Sequence, residues 1–269
     1  IIPKVQELAK IHEKKAVTPK EPDFVETSVS RTVTNAIAYA HLRGTVAVVY
    51  GDAGVGKTFA VREYMKRNSL ALGITISPTY ASVTGVNELI AEQLGVRERG
   101  DRKITREIVA KLRNSGRVLV IDEAQHLTVR ALNHLRCVSD ESGIGIALVG
   151  NEEIYSKLRG SGKADFAQLF SRVGMRKQVL TNSLTAEDIR NIFGPYGLDV
   201  PVAGSLFWLV VVSLLFIFVS LALGLLSGIA HTNYGLRGAV NVFVNTAAVY
   251  GKIDKAGIVK VMRDMNIGA

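Results

Sequence analysis

TVAVVYGDAGVGKT, residues 45–58, runs from an apolar, β-branched stretch into a glycine-rich turn and ends on a lysine and a hydroxyl. Residues 45–50 carry no polar alternation, so they predict a strand buried on both faces. Residues 51–58 fit G-x-x-x-x-G-K-[ST] without a mismatch, and residues 57–67 continue in a helical pattern. Strand, turn and helix in that order curl the backbone of Gly51, Asp52, Ala53, Gly54, Val55 and Gly56 around phosphate oxygens, with N–H groups pointing inward. Lys57 is expected to reach the β- and γ-phosphates of ATP, and Thr58 to offer its hydroxyl to Mg²⁺.

Working outward, RVLVIDEAQH (117–126) is a second buried strand that ends in two carboxylates. Ligands of open α/β sheets sit at such strand ends. Asp122 is expected to hold the metal, mostly through water, and Glu123 to polarise the attacking water. ALVGN (147–151) ends another strand. Asn151 is read either as a polar sensor of the γ-phosphate or as the cap of the helix beginning NEE. In LFSRVGMRK (169–177), Arg172, with Arg176 as the alternative, is read as an arginine that reaches a neighbouring subunit's γ-phosphate. Arg237, in GLRG, is read as a nucleotide contact from a lid.

Apolar strands over 45–50, 71–77, 117–122, 144–150 and 176–181 alternate with helices over 57–67, 83–95, 104–115, 128–139, 152–158 and 164–171. That order predicts an α/β fold with a parallel sheet covered by helices on both faces. A further helix leads in from Ser28 or Ser30 to about Leu42. From Thr185, which with Asp188 forms a capping-box pattern, the chain turns helical, with helices over 235–251 and 254–265. Residues 1–23 read as a helix (1–16) and a proline-bearing linker, 24–183 as the nucleotide-binding domain and 184–269 as a helical lid. Phe24 or Val25 is expected to line the adenine pocket.

The chain has 269 residues and a formal charge of +9, which suits a polyanionic partner. Arg97, Arg99, Arg102, Lys103 and Arg106 cluster within ten residues, with Lys111 and Arg113 beyond them. Such a strip neutralises DNA phosphates without reading bases, and Tyr80, in PTYASVTG (78–85), adds a contact to the backbone. The single cysteine, Cys137, excludes an internal disulfide and a cysteine metal cluster, and lies on an apolar helical pattern that predicts a core thiol. No signal peptide precedes the fold, and the start at Ile1 implies that residues have been lost ahead of it.

These motifs together resemble the plan of AAA+ P-loop ATPases with a small C-terminal helical lid. More narrowly, FVET (24–27), AVVYGDAGVGKTFAVREY (47–64), ITISPTYASV (74–83), VLVIDEAQHL (118–127), LVGNEEIYS (148–156) and FAQLFSRVGMRK (166–177) resemble the phage Mu transposition protein B family of target-selection ATPases. The resemblance covers residues 20–190 well and 235–265 loosely. It implies ATP binding, assembly of copies as a helical filament or ring on duplex DNA with little sequence preference, recruitment or stimulation of a transposase, and disassembly on hydrolysis. It also implies a DNA-binding domain ahead of the ATPase, of which residues 1–16 would be the trailing helix.

One segment departs from the family. LFWLVVVSLLFIFVSLALGLL, residues 206–226, is uncharged and long enough to span a bilayer. Its readings are a membrane helix, with Gly224 and Gly228 giving a small face and Trp208 at one end, a helix buried in the lid or between subunits, or a foreign insertion. A single span would strand Arg237 across the membrane from the phosphate loop. Two rival functions follow: a membrane-anchored ATPase of a secretion apparatus, and a helicase-loader-like ATPase. The letters DEAQH also suggest a helicase, but the chain is too short for a second motor lobe. The expected location is cytoplasmic, with membrane association left open through residues 206–226.

Overall fold

A computed structural model describes residues 24–159, 172–196, 222, 225–226, 229–230, 235–250, 255–265 and 267. The helices expected over 1–16 and 164–171 lie outside those residues, as does most of the apolar segment. Of the latter, Ala222, Leu225 and Leu226 are described, and Ala222 and Leu226 are buried. Among the described residues no helix is long and apolar enough to cross a membrane.

The chain divides into two units, one of residues 29–180 and one of residues 1–28 with 181–269. The first is built on five parallel strands: β1 (Val46–Gly51), β2 (Ala71–Thr75), β3 (Val118–Asp122), β4 (Gly145–Gly150) and β5 (Val173–Val179), in the order β2-β3-β4-β1-β5. Every residue of β3 and β4 is buried, as expected of parallel strands with helices on both sides. Helices α1 (Ser28–Arg43), α2 (Lys57–Arg67), α3 (Val83–Leu94), α4 (Asp101–Leu112), α5 (Val129–Ser142) and α6 (Glu152–Arg159) fill the connections.

Three features differ from the sequence expectation. β5 begins at Val173 rather than 176, because its pairing with β1 continues past an irregularity that skips Gly174. α4 begins at Asp101 rather than 104, which places Arg102 and Lys103 in its first turn. Cys137 is exposed, not a core thiol. The buried positions of α5 are Ala131, Leu132, Leu135, Val138, Ser139 and Ser142, and Cys137 falls on the opposite side of that 3.6-residue period.

On one face of the sheet α3, α4 and α5 share a buried polar link. Asn87, fully buried, donates from Nδ2 to Thr105 Oγ1 (3.0 Å), and its Oδ1 lies 2.8 Å from His134 Nε2. Asn87 Oδ1 can only accept, so His134 carries its proton on Nε2. Thr84 Oγ1 also donates to Asp101 Oδ2 (2.8 Å), and Lys111 Nζ donates to Leu94 O (3.1 Å). Start is tied to start and end to end, so α3 and α4 run parallel. The intervening residues 95–100 must return the length of a twelve-residue helix, about 18 Å, which extended backbone just spans.

In the second unit, α7 (Ala186–Phe193) opens with the expected capping box. Thr185 Oγ1 accepts from Asp188 N (3.1 Å), and Asp188 Oδ2 accepts from Thr185 N (2.8 Å). Asp188 Oδ1 accepts Ser28 N as well (3.0 Å), which ties the segment ahead of α1 to this unit. Helices α8 (Gly235–Tyr250) and α9 (Lys255–Asp264) pack together, and Phe243 of α8 meets Phe193 of α7 at 5.0 Å between ring centroids.

Candidate nucleotide site and basic face

The glycine-rich loop joins β1 to α2 at the C-terminal edge of the sheet. Gly51 has φ +145°, and a Cβ there would stand 1.8 Å from Val179 O at the end of β5. Only glycine fits between the two strand ends. Asp52 N donates to Val179 O (3.1 Å), so β5 fixes the start of the loop. Gly54 and Gly56 turn the chain with φ of 76° and 99° before Lys57 begins α2.

Lys57 Nζ donates to Gly51 O (3.0 Å) and Asp52 O (2.5 Å) and so closes the loop on itself. Burial lowers the Lys57 pKa, and Glu123, Asp122 and Asp52 oppose that shift by favouring its charge. Asp122 and Glu123 stand at the end of β3, near enough to act on Lys57. The carboxyl of Asp122 is buried, which raises its pKa, against hydrogen bonds from the Thr58 side chain and the Glu123 backbone. Glu123 N donates to Asp122 Oδ1 at 3.0 Å. The sequence-predicted residues Gly51–Thr58, Asp122 and Glu123 are therefore brought together. Glu123 itself sits in the left-handed region (φ 55°, ψ 34°), uncommon for a non-glycine residue and a feature of sites where a side chain is aimed.

Asn151 lies at the tip of β4. Its Oδ1 accepts from Glu153 N (2.9 Å), which caps α6, so the capping geometry is present. Its backbone N donates to Gln125 Oε1 (3.2 Å). The rings of Tyr50 in β1 and Tyr155 in α6 stack at 4.4 Å and 8°, holding α6 beside the loop strand. Sequence reading missed Gln125. The one signal was a polar residue two places beyond Glu123, in the run DEAQH.

Arg172 is not part of this cluster. It precedes β5 at the N-terminal edge of the sheet, 60% exposed, with Nε 3.4 Å from Asp140 Oδ1. Val173 pairs with Val46 and Val179 with Gly51, so the seven-residue β5, roughly 20 Å long, separates Arg172 from its own phosphate loop. Asp140 also pairs with Arg136 (3.0 Å). Arg176 is exposed within β5. Arg237 is exposed on α8, in the other unit, and Phe24 and Val25 are partly buried ahead of α1.

The basic residues lie on α4 and on the stretch that leads into it. Tyr80, 38% exposed, ends a short turn (Pro78–Tyr80) after β2, so it lies at the same sheet edge as the phosphate loop. The Thr84–Asp101 bond brings the start of α4 beside the start of α3, and hence Arg102 and Lys103 to that edge. Arg106 follows one turn on. Arg97 and Arg99 lie on the returning stretch 95–100, and all five cations are exposed. Two cations in the first turn of α4 oppose the helix dipole, at about 0.3–1 kcal/mol each.

Among the described residues no group of three or more His, Cys, Asp or Glu could hold a metal. Thr58 and Asp122 would offer two hard oxygen ligands. That fits Mg²⁺, which keeps waters and takes its remaining ligands from phosphates, rather than a metal caged by protein.

Residues 41–158 match the family model of the AAA domain. Over 180 residues the chain is 37% identical to the Mu-like prophage FluMu DNA transposition protein B of Haemophilus influenzae, covering 64% of this chain and 63% of that protein. It is 36% identical to the ATP-dependent target DNA activator B of Escherichia phage Mu, covering 66% of this chain and 57% of that protein. The chain thus spans less than two thirds of the length of these relatives. Among solved structures, domain III of the Thermotoga maritima replication initiation protein DnaA has a TM-score of 0.55 at 17% identity, over 89% of this chain and 93% of that one. Drosophila ORC bound to DNA has a TM-score of 0.59 at 15% identity, over 95% of this chain and 65% of that one. At such identities the likeness is one of fold.

Proposed function

Because this chain carries an AAA+ domain and is related to the transposition B proteins of Mu-like phages, we propose that it is an ATPase whose bound nucleotide governs sequence-nonspecific binding to duplex DNA, which it presents to a transposase. The observation that carries the reading is the cluster at the sheet edge: a phosphate loop closed by Lys57, with Thr58, Asp122 and Glu123 around it. The names of the relatives speak of DNA, which favours this reading over a membrane-anchored secretion ATPase or a helicase loader.

In this mechanism ATP enters the loop and Lys57 exchanges its two carbonyl partners for β- and γ-phosphate oxygens. The loop N–H groups take the remaining phosphate charge. Thr58 and Asp122, the latter largely through water, would hold Mg²⁺, which would supply neutralisation of phosphate charge. Glu123 orients the attacking water and accepts its proton, while the bond from the γ-phosphorus to the bridging oxygen breaks. Asn151 faces the γ-phosphate from the tip of β4. Arg172, at the far sheet edge, acts on the nucleotide of a neighbouring copy, which makes hydrolysis depend on assembly. The cations at 97–106 and Tyr80 contact the DNA backbone.

The test is steady-state ATP hydrolysis with and without random-sequence duplex. DNA is expected to stimulate hydrolysis, and Lys57→Ala to abolish nucleotide binding and the stimulation together. Hydrolysis indifferent to DNA, or absent from the folded protein, contradicts the reading.

A further inference from the structure

Gln125 lies between the two catalytic strand tips. It is 6% exposed, within the short turn Ala124–His126 that follows Glu123. Its side-chain Nε2 donates to Glu123 Oε2 at 2.5 Å. Its Oε1 accepts from Asn151 N at 3.2 Å. The amide has one orientation that satisfies both neighbours, since a backbone N–H needs an acceptor and a carboxylate needs a donor. The turn is held from behind, because Lys157 Nζ donates to Gln125 O and to Leu127 O. The strand tip is shaped to it as well: a Cβ on Gly150 would come within 2.5 Å of Gln125 Oε1.

We propose that Gln125 is a positioning residue for hydrolysis, which fixes the Glu123 carboxylate in register with the tip of β4 through its two-sided amide. The Glu123 side chain stands on a left-handed backbone and would otherwise sample several rotamers. A buried amide, braced by α6, removes that freedom. One carboxylate oxygen, Oε2, is held by Gln125. The same amide ties Asn151, at the γ-phosphate end of β4, to Glu123, so the two residues that flank the attacking water move as one. This rests on the reading of Glu123 as the residue that orients that water.

Full-length Gln125→Glu separates the two halves of the link. It keeps an acceptor for Asn151 N–H and loses the donor to Glu123. We expect kcat for ATP to fall at least about tenfold, the order that small misplacement of a catalytic group costs. Affinity for a non-hydrolysable ATP analogue falls far less than kcat, while the second buried carboxylate beside Glu123 lowers the melting temperature. In a Glu123→Gln background the same substitution adds no further loss, because the residue acts through Glu123. Wild-type kcat in Gln125→Glu overturns the proposal, and so do losses that multiply in the double variant. If Gln125→Glu does not fold, Gln125→Met, equal in length and without a donor, enters the same cycle with the same criteria. Full kcat in Glu123→Gln alone is a separate outcome. It removes the role of Glu123, and the positioning role with it.

Discussion

Lys57 donates to the carbonyls of Gly51 and Asp52, and burial lowers its pKa while three carboxylates favour its charge. Substituting Lys57 with Ala should abolish ATP-analogue binding and lower melting only modestly, because the folded chain loses the two bonds that Lys57 makes to Gly51 O and Asp52 O. Glu123→Gln should do the reverse. Analogue binding persists while kcat falls about a hundredfold or more, the usual contribution of a general base. Gly51→Ala places a methyl 1.8 Å from Val179 O on a backbone that L-residues avoid. A loss of about 2 kcal/mol or more in urea unfolding is expected, together with weakened nucleotide binding.

The packing of α3, α4 and α5 rests on an amide, a hydroxyl and an imidazole inside an apolar layer. Asn87→Ala leaves Thr105 and His134 without their partner and should cost about 2 kcal/mol in urea unfolding. Burial also lowers the His134 pKa, against the opposing pull of Asp101 and Glu141. A histidine depressed in the folded state contributes stability above its ordinary value of 6.5, and that contribution is lost as pH falls below it. Unfolding free energy should therefore drop between pH 7.5 and 5.5 in the wild type, and drop less in His134→Gln. An equal drop in both would assign the loss to other groups. The strands around the phosphate loop were legible in sequence, because buried parallel strands are continuous apolar runs. β5 was only half legible: Arg176, Lys177 and Gln178 are exposed, so pairing with β1, not burial, defines it. The first turn of α4 was hidden because Gly100 leads it without a side-chain cap, and the apolar period starts only at Ile104. Cys137 was misread because Leu132, Leu135 and Val138 around it are apolar, while its own position on the helical period is not on their side. Gln125 was illegible for a different reason. Its significance comes from β4, which sequence separates from it by more than twenty residues.

At the scale of the whole molecule, the phosphate loop and the start of α4, with Arg102 and Lys103, share one edge of the sheet, and Arg172 lies at the other. If Arg172 serves a neighbour, Arg172→Ala and Glu123→Gln subunits, each slow alone, should regain hydrolysis on mixing. The intact catalytic edge of one then meets the intact arginine of the other. No gain on mixing would return Arg172 to a surface ion pair with Asp140. Reversing Arg102, Lys103 and Arg106 to Glu should weaken binding to all duplex sequences alike and lower the salt slope by about one for each phosphate that is no longer neutralised. The central claim is that nucleotide at the phosphate loop controls DNA binding by the basic face. Its most direct test is fluorescence anisotropy of a labelled random duplex titrated with the full chain in ATP, in ADP and without nucleotide, at two salt concentrations. The account predicts tight binding in ATP that weakens steeply with salt, and weak binding in the other two states. Equal binding in all three states, or none in ATP, would contradict it.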